Sequence, residues 1–115
     1  MHVIYDIHGA VRTLFDILAP GGTALVTLPG ISQISRYDYD RWGDFWRFTS
    51  LSAQRLFANE FGDSAVEVLA YGNALSTIAF LSGLAQEDLT CGELMARDQD
   101  YEVIIAIRAV KRDCP

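Results

Sequence analysis

The chain has 115 residues, half of them hydrophobic, with 9 basic and 15 acidic side chains and a formal net charge of −6. This length predicts one domain, residues 1–115, able to bury roughly two-thirds of its unfolded surface. The hydrophobic content excludes a disordered chain, and the acidic balance argues against nucleic acid or an anionic membrane as partner.

The N-terminus shows no basic segment leading into a long apolar run, so no signal peptide is expected. The most apolar stretch, 74–85, is too short to span a bilayer and is broken by Ser76, Thr77, Ser82 and Gly83. Cys91 and Cys114 have no metal-type spacing, and a reduced, cytoplasmic setting is the default.

The first element reads as a helix. Ile7, Val11, Leu14, Phe15 and Leu18 recur at helical spacing, with Asp6 as N-cap. Ala19-Pro20-Gly21-Gly22 stops it. Thr23 to Leu28 follows as a strand, nearly all apolar or β-branched, as in a strand covered on both faces. Residues 31–48 show neither period and read as a long loop with one helical turn; loops beyond about 12–15 residues are often functional. Thr49 or Ser50 caps a second helix, with Ala53, Leu56, Phe57 and Phe61 on one face and Gly62 as its stop. Val66 to Tyr71 reads as a strand. Asn73 caps a helix through Leu84, and Thr90-x-x-Glu93 matches a capping box. Tyr101 to Val110 is the strongest strand signal, apolar on both faces until its end. Strands alternating with helices predict an α/β fold.

The loop at 31–48 leaves the carboxyl end of a strand and holds most of the chemistry. As an acceptor-recognition lid, Tyr37, Trp42 and Trp46 stack on a substrate while Arg36, Arg41 or Arg47 pairs with an anionic group. Alternatively, Trp42, Phe45, Trp46 and Phe48 fill core between sheet and helix, and the charges are solvated. Asp38, Asp40 and Asp44 lack the spacing and the closing Glu of a cation loop, so no metal is expected. His2 and His8 are general bases by chemistry, but no nucleophile motif accompanies them. His8 falls off the apolar stripe. Arg108 is expected at the solvated end of its strand.

The run HVIYDIHGAVRTLFDILAPGGTALVTLPG resembles the segment of class I S-adenosylmethionine-dependent methyltransferases that follows their fourth strand, where a helix enters a Leu-x-Pro-Gly-Gly turn and then the fifth strand. WRFTSLSAQRLF, 46–57, is similar to the stretch that opens the next helix in those enzymes, and the likeness runs through the closing antiparallel strand. It implies a partial Rossmann-like three-layer domain whose three-stranded mixed sheet holds two parallel strands and an antiparallel C-terminal one. It also implies that the chain begins halfway through the fold. The glycine-rich loop and the acidic residue that hold S-adenosylmethionine in the family are then absent, and His2 lies at the cofactor's margin. On this reading the chain carries the acceptor-substrate side and binds no cofactor alone. The Thr23–Leu28 edge, left without its neighbour, invites a second copy or a complementary N-terminal half. The alternative is a non-enzymatic protein that self-associates through that edge.

Overall fold

A computed structural model describes residues 1–112; Cys114 lies outside them. Helix α1 spans Ile7–Ile17, strand β1 Thr23–Pro29, the short helix α2 Arg36–Arg41, and α3 Ser50–Phe61. Strand β2 follows at Val66–Tyr71, then α4 at Ala74–Leu81, α5 at Cys91–Met95 and β3 at Ile104–Val110.

The helix starts follow the capping chemistry in the sequence. The Asp6 side chain accepts from the Gly9 N–H. Thr49 and Ser52 form a reciprocal capping box on α3, and Asn73 and Ser76 form another on α4. Thr90 and Glu93 do the same for α5, and these bonds hold the Glu93 carboxyl below its usual range. Helix α4 ends at Leu81, three residues before the expected Leu84. The Leu84 N–H reaches the Ala79 carbonyl and the Gly83 N–H the Phe80 carbonyl. This closure needs Gly83 at φ +75°, a conformation that favours glycine. The C-terminus of α1 is closed from a distance: Lys111 Nζ donates to the carbonyls of Phe15 and Leu18.

The fold is α/β, with a three-stranded sheet in the order β1-β3-β2. Both pairings are antiparallel. Strands β1 and β2 therefore point the same way but never touch, because β3 lies between them. This corrects the mixed sheet with a parallel pair: the last strand takes the central place, and each outer strand has only β3 as a neighbour. The strand begins at Ile104 rather than Tyr101. Val103 still donates to the Tyr71 carbonyl and accepts from the Gly30 N–H, outside the regular ladder.

One face of the sheet is packed. Ala24, Val26 and Leu28 lie in register with Ala109, Ile107 and Ile105, and these with Val66, Val68 and Ala70. Ile7 and Val11 of α1 and Ala53, Leu56, Phe57 and Phe61 of α3 close over them. The opposite face carries no such cover: Leu25 is 78% exposed, Ile104 49% and Leu69 41%. Among the described residues the expected three layers are two. The physical reason lies in the connection from β2 to β3. Antiparallel neighbours need no crossover, so residues 72–103 stay at one end of the sheet instead of folding back across it. The shape reflects this: the radius of gyration is 15.7 Å, against about 13 Å for a compact chain of this length.

Candidate functional site

The carboxyl ends of β1 and β2 meet at the same end of the sheet, with the start of β3 between them. A cavity of about 550 Å³ opens there. Thr27, Leu28 and Pro29 of β1, Tyr71 of β2 and Ile104 of β3 form its floor, while Phe80 of α4 and Leu94 of α5 wall one side. Met1 and His2 close another. A smaller cavity of about 210 Å³ adjoins it, shares His2, Pro29, Ser32 and Phe80, and extends to Ser35, Asp44 and Arg47.

The N-terminal residues are held at this site by the loop that follows β1. The His2 carbonyl accepts from the N–H groups of Phe45 and Trp46. The Trp46 indole N–H donates to the Ile4 carbonyl at 3.0 Å. Tyr5 packs edge-on against Phe45 at 5.3 Å and stacks on Trp46 at 6.1 Å. His2 Nε2 lies 3.8 Å from Asp38, an ion-pair distance and longer than a hydrogen bond.

The loop itself is clamped by one pair. Arg47 donates to both carboxylate oxygens of Asp44, at 2.6 and 2.8 Å, and also to the Gln33 carbonyl at 2.7 Å. The Ser35 N–H donates to the same carboxylate at 3.0 Å. The Asp44 side chain is 1% exposed. The Arg47 hydrogen bonds outweigh the cost of burial and hold the Asp44 carboxyl at about 2, while the same contact raises the Arg47 guanidinium.

The residues expected to bind substrate therefore separate into two groups. Trp46 and Arg47 anchor the loop next to the cavities. Arg36, Tyr37, Arg41 and Trp42 lie on or beside α2, exposed and engaged with one another. The Arg41 guanidinium sits 3.7 Å from the Tyr37 ring centroid, Arg36 sits 4.9 Å from Tyr39, and the Trp42 indole donates to Asp38 at 3.1 Å. Phe48 is buried, as core filling requires, while Trp42 and Phe45 remain exposed. His8 is exposed on α1, and Arg108 is exposed on the open face of the sheet. Among the described residues no group of three or more His, Cys, Asp or Glu side chains is placed to hold a metal. Tyr71, Phe80, Leu94 and Ile104 were not singled out by sequence. They come from four separate elements, β2, α4, α5 and β3, which only the tertiary fold brings together.

The lining does not by itself fit a nucleoside cofactor. No carboxylate faces the cavity to meet ribose hydroxyls. The two glycines at the strand ends are not an open cradle either. A Cβ on Gly30 would run into the Glu102 carbonyl, and one on Gly72 into that of Tyr101. Both glycines serve close approach of backbone to backbone.

No protein-family model, no curated protein and no solved structure matches the chain. No helix among the described residues is long and apolar enough to cross a membrane.

Proposed function

We propose that this chain supplies the acceptor-substrate side of a class I S-adenosylmethionine-dependent methyltransferase, as part of a Rossmann-like domain. The observation that carries the reading is the position of the cavity at the strand ends. It lies beyond the carboxyl ends of two strands that point the same way, where open α/β sheets bind their ligands, and His2 stands on its rim. The order of elements supports it. A helix, a Pro-Gly-Gly turn, a strand, a helix opening on W-R-F-T and an antiparallel closing strand follow in the sequence of the resemblance. In this role the segment from Ser32 to Arg47 is the lid. Trp46 and Arg47 anchor it, and Arg36, Tyr37, Arg41 and Trp42 form its outer surface, outside the cavity lining, where an arriving substrate would meet them first. S-adenosylmethionine is then held chiefly by residues outside this chain, with His2 at its margin. The reading sets the protein in the cytoplasm, in keeping with the exposed thiol of Cys91, which has no disulfide partner among the described residues. Calorimetric titration tests it with two polypeptides. The 115-residue chain is expected to show no binding of S-adenosylmethionine, and micromolar binding would refute the assignment of the cofactor to other residues. The chain extended by the reading frame upstream of Met1 is expected to bind; failure of such an extended, folded chain to bind refutes the family reading.

A second reading rests on a different observation. The register directs the N–H and C=O groups of Thr23, Leu25 and Thr27 away from β3. No charged side chain occurs between Asp16 and Arg36 to blunt that edge. On this reading the chain self-associates through β1 without catalysis. Light scattering at high protein concentration tests it, and a monodisperse monomer rejects it.

A further inference from the structure

We infer that the main cavity binds uncharged aromatic compounds bearing a hydroxyl group, and that the anion-pairing chemistry of the neighbouring loop does not extend into it. The naming of such a compound as the methyl acceptor rests on the reading above; the binding does not.

Charge decides the class of ligand. The chain is 21% charged, yet none of the cavity's thirteen lining residues is Asp, Glu, Lys or Arg. Two cations lie near the cavity without lining it: Arg97, whose guanidinium sits 4.2 Å from the Tyr71 ring centroid, and Arg47, in the adjoining smaller cavity. Both terminal nitrogens of Arg47 are already bound to Asp44, and one also to Gln33. A ligand carboxylate or phosphate would have to displace a buried internal carboxylate to reach it. In the larger cavity the same anion would lose hydration and meet no Lys or Arg side chain, only His2 and the backbone amine of Met1.

Shape and polar content decide the rest. The volume of about 550 Å³ lies in the ordinary range of small-molecule sites and exceeds what one ring needs. Phe80 and Tyr71 contribute ring surface, and Ile104 and Leu94 aliphatic surface. Among the lining hydroxyls, Ser76 is occupied by the α4 capping box. The Thr27 and Ser32 hydroxyls have no hydrogen-bond partner among the described residues, and the imidazole of His2 has only Asp38 at 3.8 Å. A half-open apolar cleft with two unengaged hydroxyls and an imidazole beside them fits a ligand that is mostly ring and carries one group able to donate and accept.

Methyl-resolved NMR of the 115-residue chain tests this, with 4-methylphenol and 4-hydroxybenzoate as probes. They share the ring and the hydroxyl and differ in charge. The expected result is saturable shifts of the Met1, Leu28, Leu94 and Ile104 methyl groups, with 4-methylphenol binding at least about tenfold more tightly, the difference set by an uncompensated charge. Equal or tighter binding of the carboxylate overturns the inference. So does the absence of saturation by 4-methylphenol, or shifts confined to the exposed aromatics of α2. Thr27→Lys, at an exposed position of β1, places a cation at the cavity floor. It is expected to narrow or reverse the preference between the probes, and an unchanged ratio overturns the assignment to this cavity. The titration needs no cofactor. Its failure leaves cofactor binding by the extended chain to be judged separately, and the reverse holds.

Discussion

Replacing Asp44 with Asn isolates the clamp that holds the loop after β1. The carboxylate accepts two hydrogen bonds from Arg47 and one from the Ser35 N–H, and its side chain is 1% exposed. Its pKa falls from 3.8 to about 2. A shift of that size corresponds to about 2 kcal/mol of folded-state stabilisation. The sign follows from the direction. A depressed carboxyl contributes its full stability above its unfolded pKa, and that contribution is lost as pH falls from about 4 to about 2. At pH 7 we therefore expect Asp44→Asn to cost about 2 kcal/mol, which is about 8 °C in melting temperature for a chain of this length. Urea unfolding of both proteins between pH 7 and pH 2 is the assay. The gap between them is expected to close as pH falls from about 4 to about 2, as the carboxyl protonates first in the unfolded and then in the folded chain. A difference below about 0.5 kcal/mol at pH 7, or a gap that does not change with pH, would refute the clamp.

Other substitutions probe other joints. Lys111→Met removes the donor that closes α1 while keeping much of the stem that packs near Phe15, and should cost about 1–2 kcal/mol by chemical denaturation. Thr49→Ala deletes one half of the α3 capping box and should cost about 1 kcal/mol in the same assay. Leu28→Ala opens a hole beneath the cavity floor in a side chain only 2% exposed, and should cost about 2–5 kcal/mol. Leu25→Lys charges the free edge strand at a site 78% exposed. It should leave the melting temperature nearly unchanged and abolish any concentration-dependent rise in mass by light scattering.

Local elements were legible in the sequence because their chemistry is local. Asp6, Thr49, Asn73 and Thr90 each cap the helix that follows them, through bonds spanning three residues. The α1 and α3 stripes pack as their periodicity requires. Strand partners were harder, because β1 is joined to β3 across the 74 intervening residues 30–103 and nothing in either run states its neighbour. The V-I-I-A-I run suits a central strand in any sheet; that it lies antiparallel to both outer strands is a property of the topology. The site was half legible. The loop announced itself by length and composition, and His2 came from the resemblance. That Arg47 is consumed by Asp44 could not be read, because residues 43–49 lie outside any helix and helical i,i+3 spacing does not govern them. The apolar wall from α4 and α5 could not be read, since both helices reach the cavity only through the turn at Gly72–Asn73.

The one-sided packing of the sheet connects these observations. Strand β3 carries apolar residues at nearly every position, the pattern of a strand buried on two faces. Its packed side, Ile105, Ile107 and Ala109, is at most 2% exposed. Its other side, Ile104, Ala106 and Arg108, shares an open surface with Leu25, Thr27 and Leu69. The polar contribution to that surface is concentrated in one row, where Arg108 lies between Leu25 and Glu67. The rows nearer the cavity, Thr27–Ala106–Leu69 and Pro29–Ile104–Tyr71, carry no charge. A covering element would therefore seat over the cavity end of the sheet and find its charged limit at the Arg108 row. The cavity floor and the uncovered face share Thr27, Tyr71 and Ile104. Were an element to cover this face, ligand affinity and assembly would be coupled through these residues. A partner that covers this face should change the affinity for 4-methylphenol, and 4-methylphenol should change the affinity for that partner by the same factor.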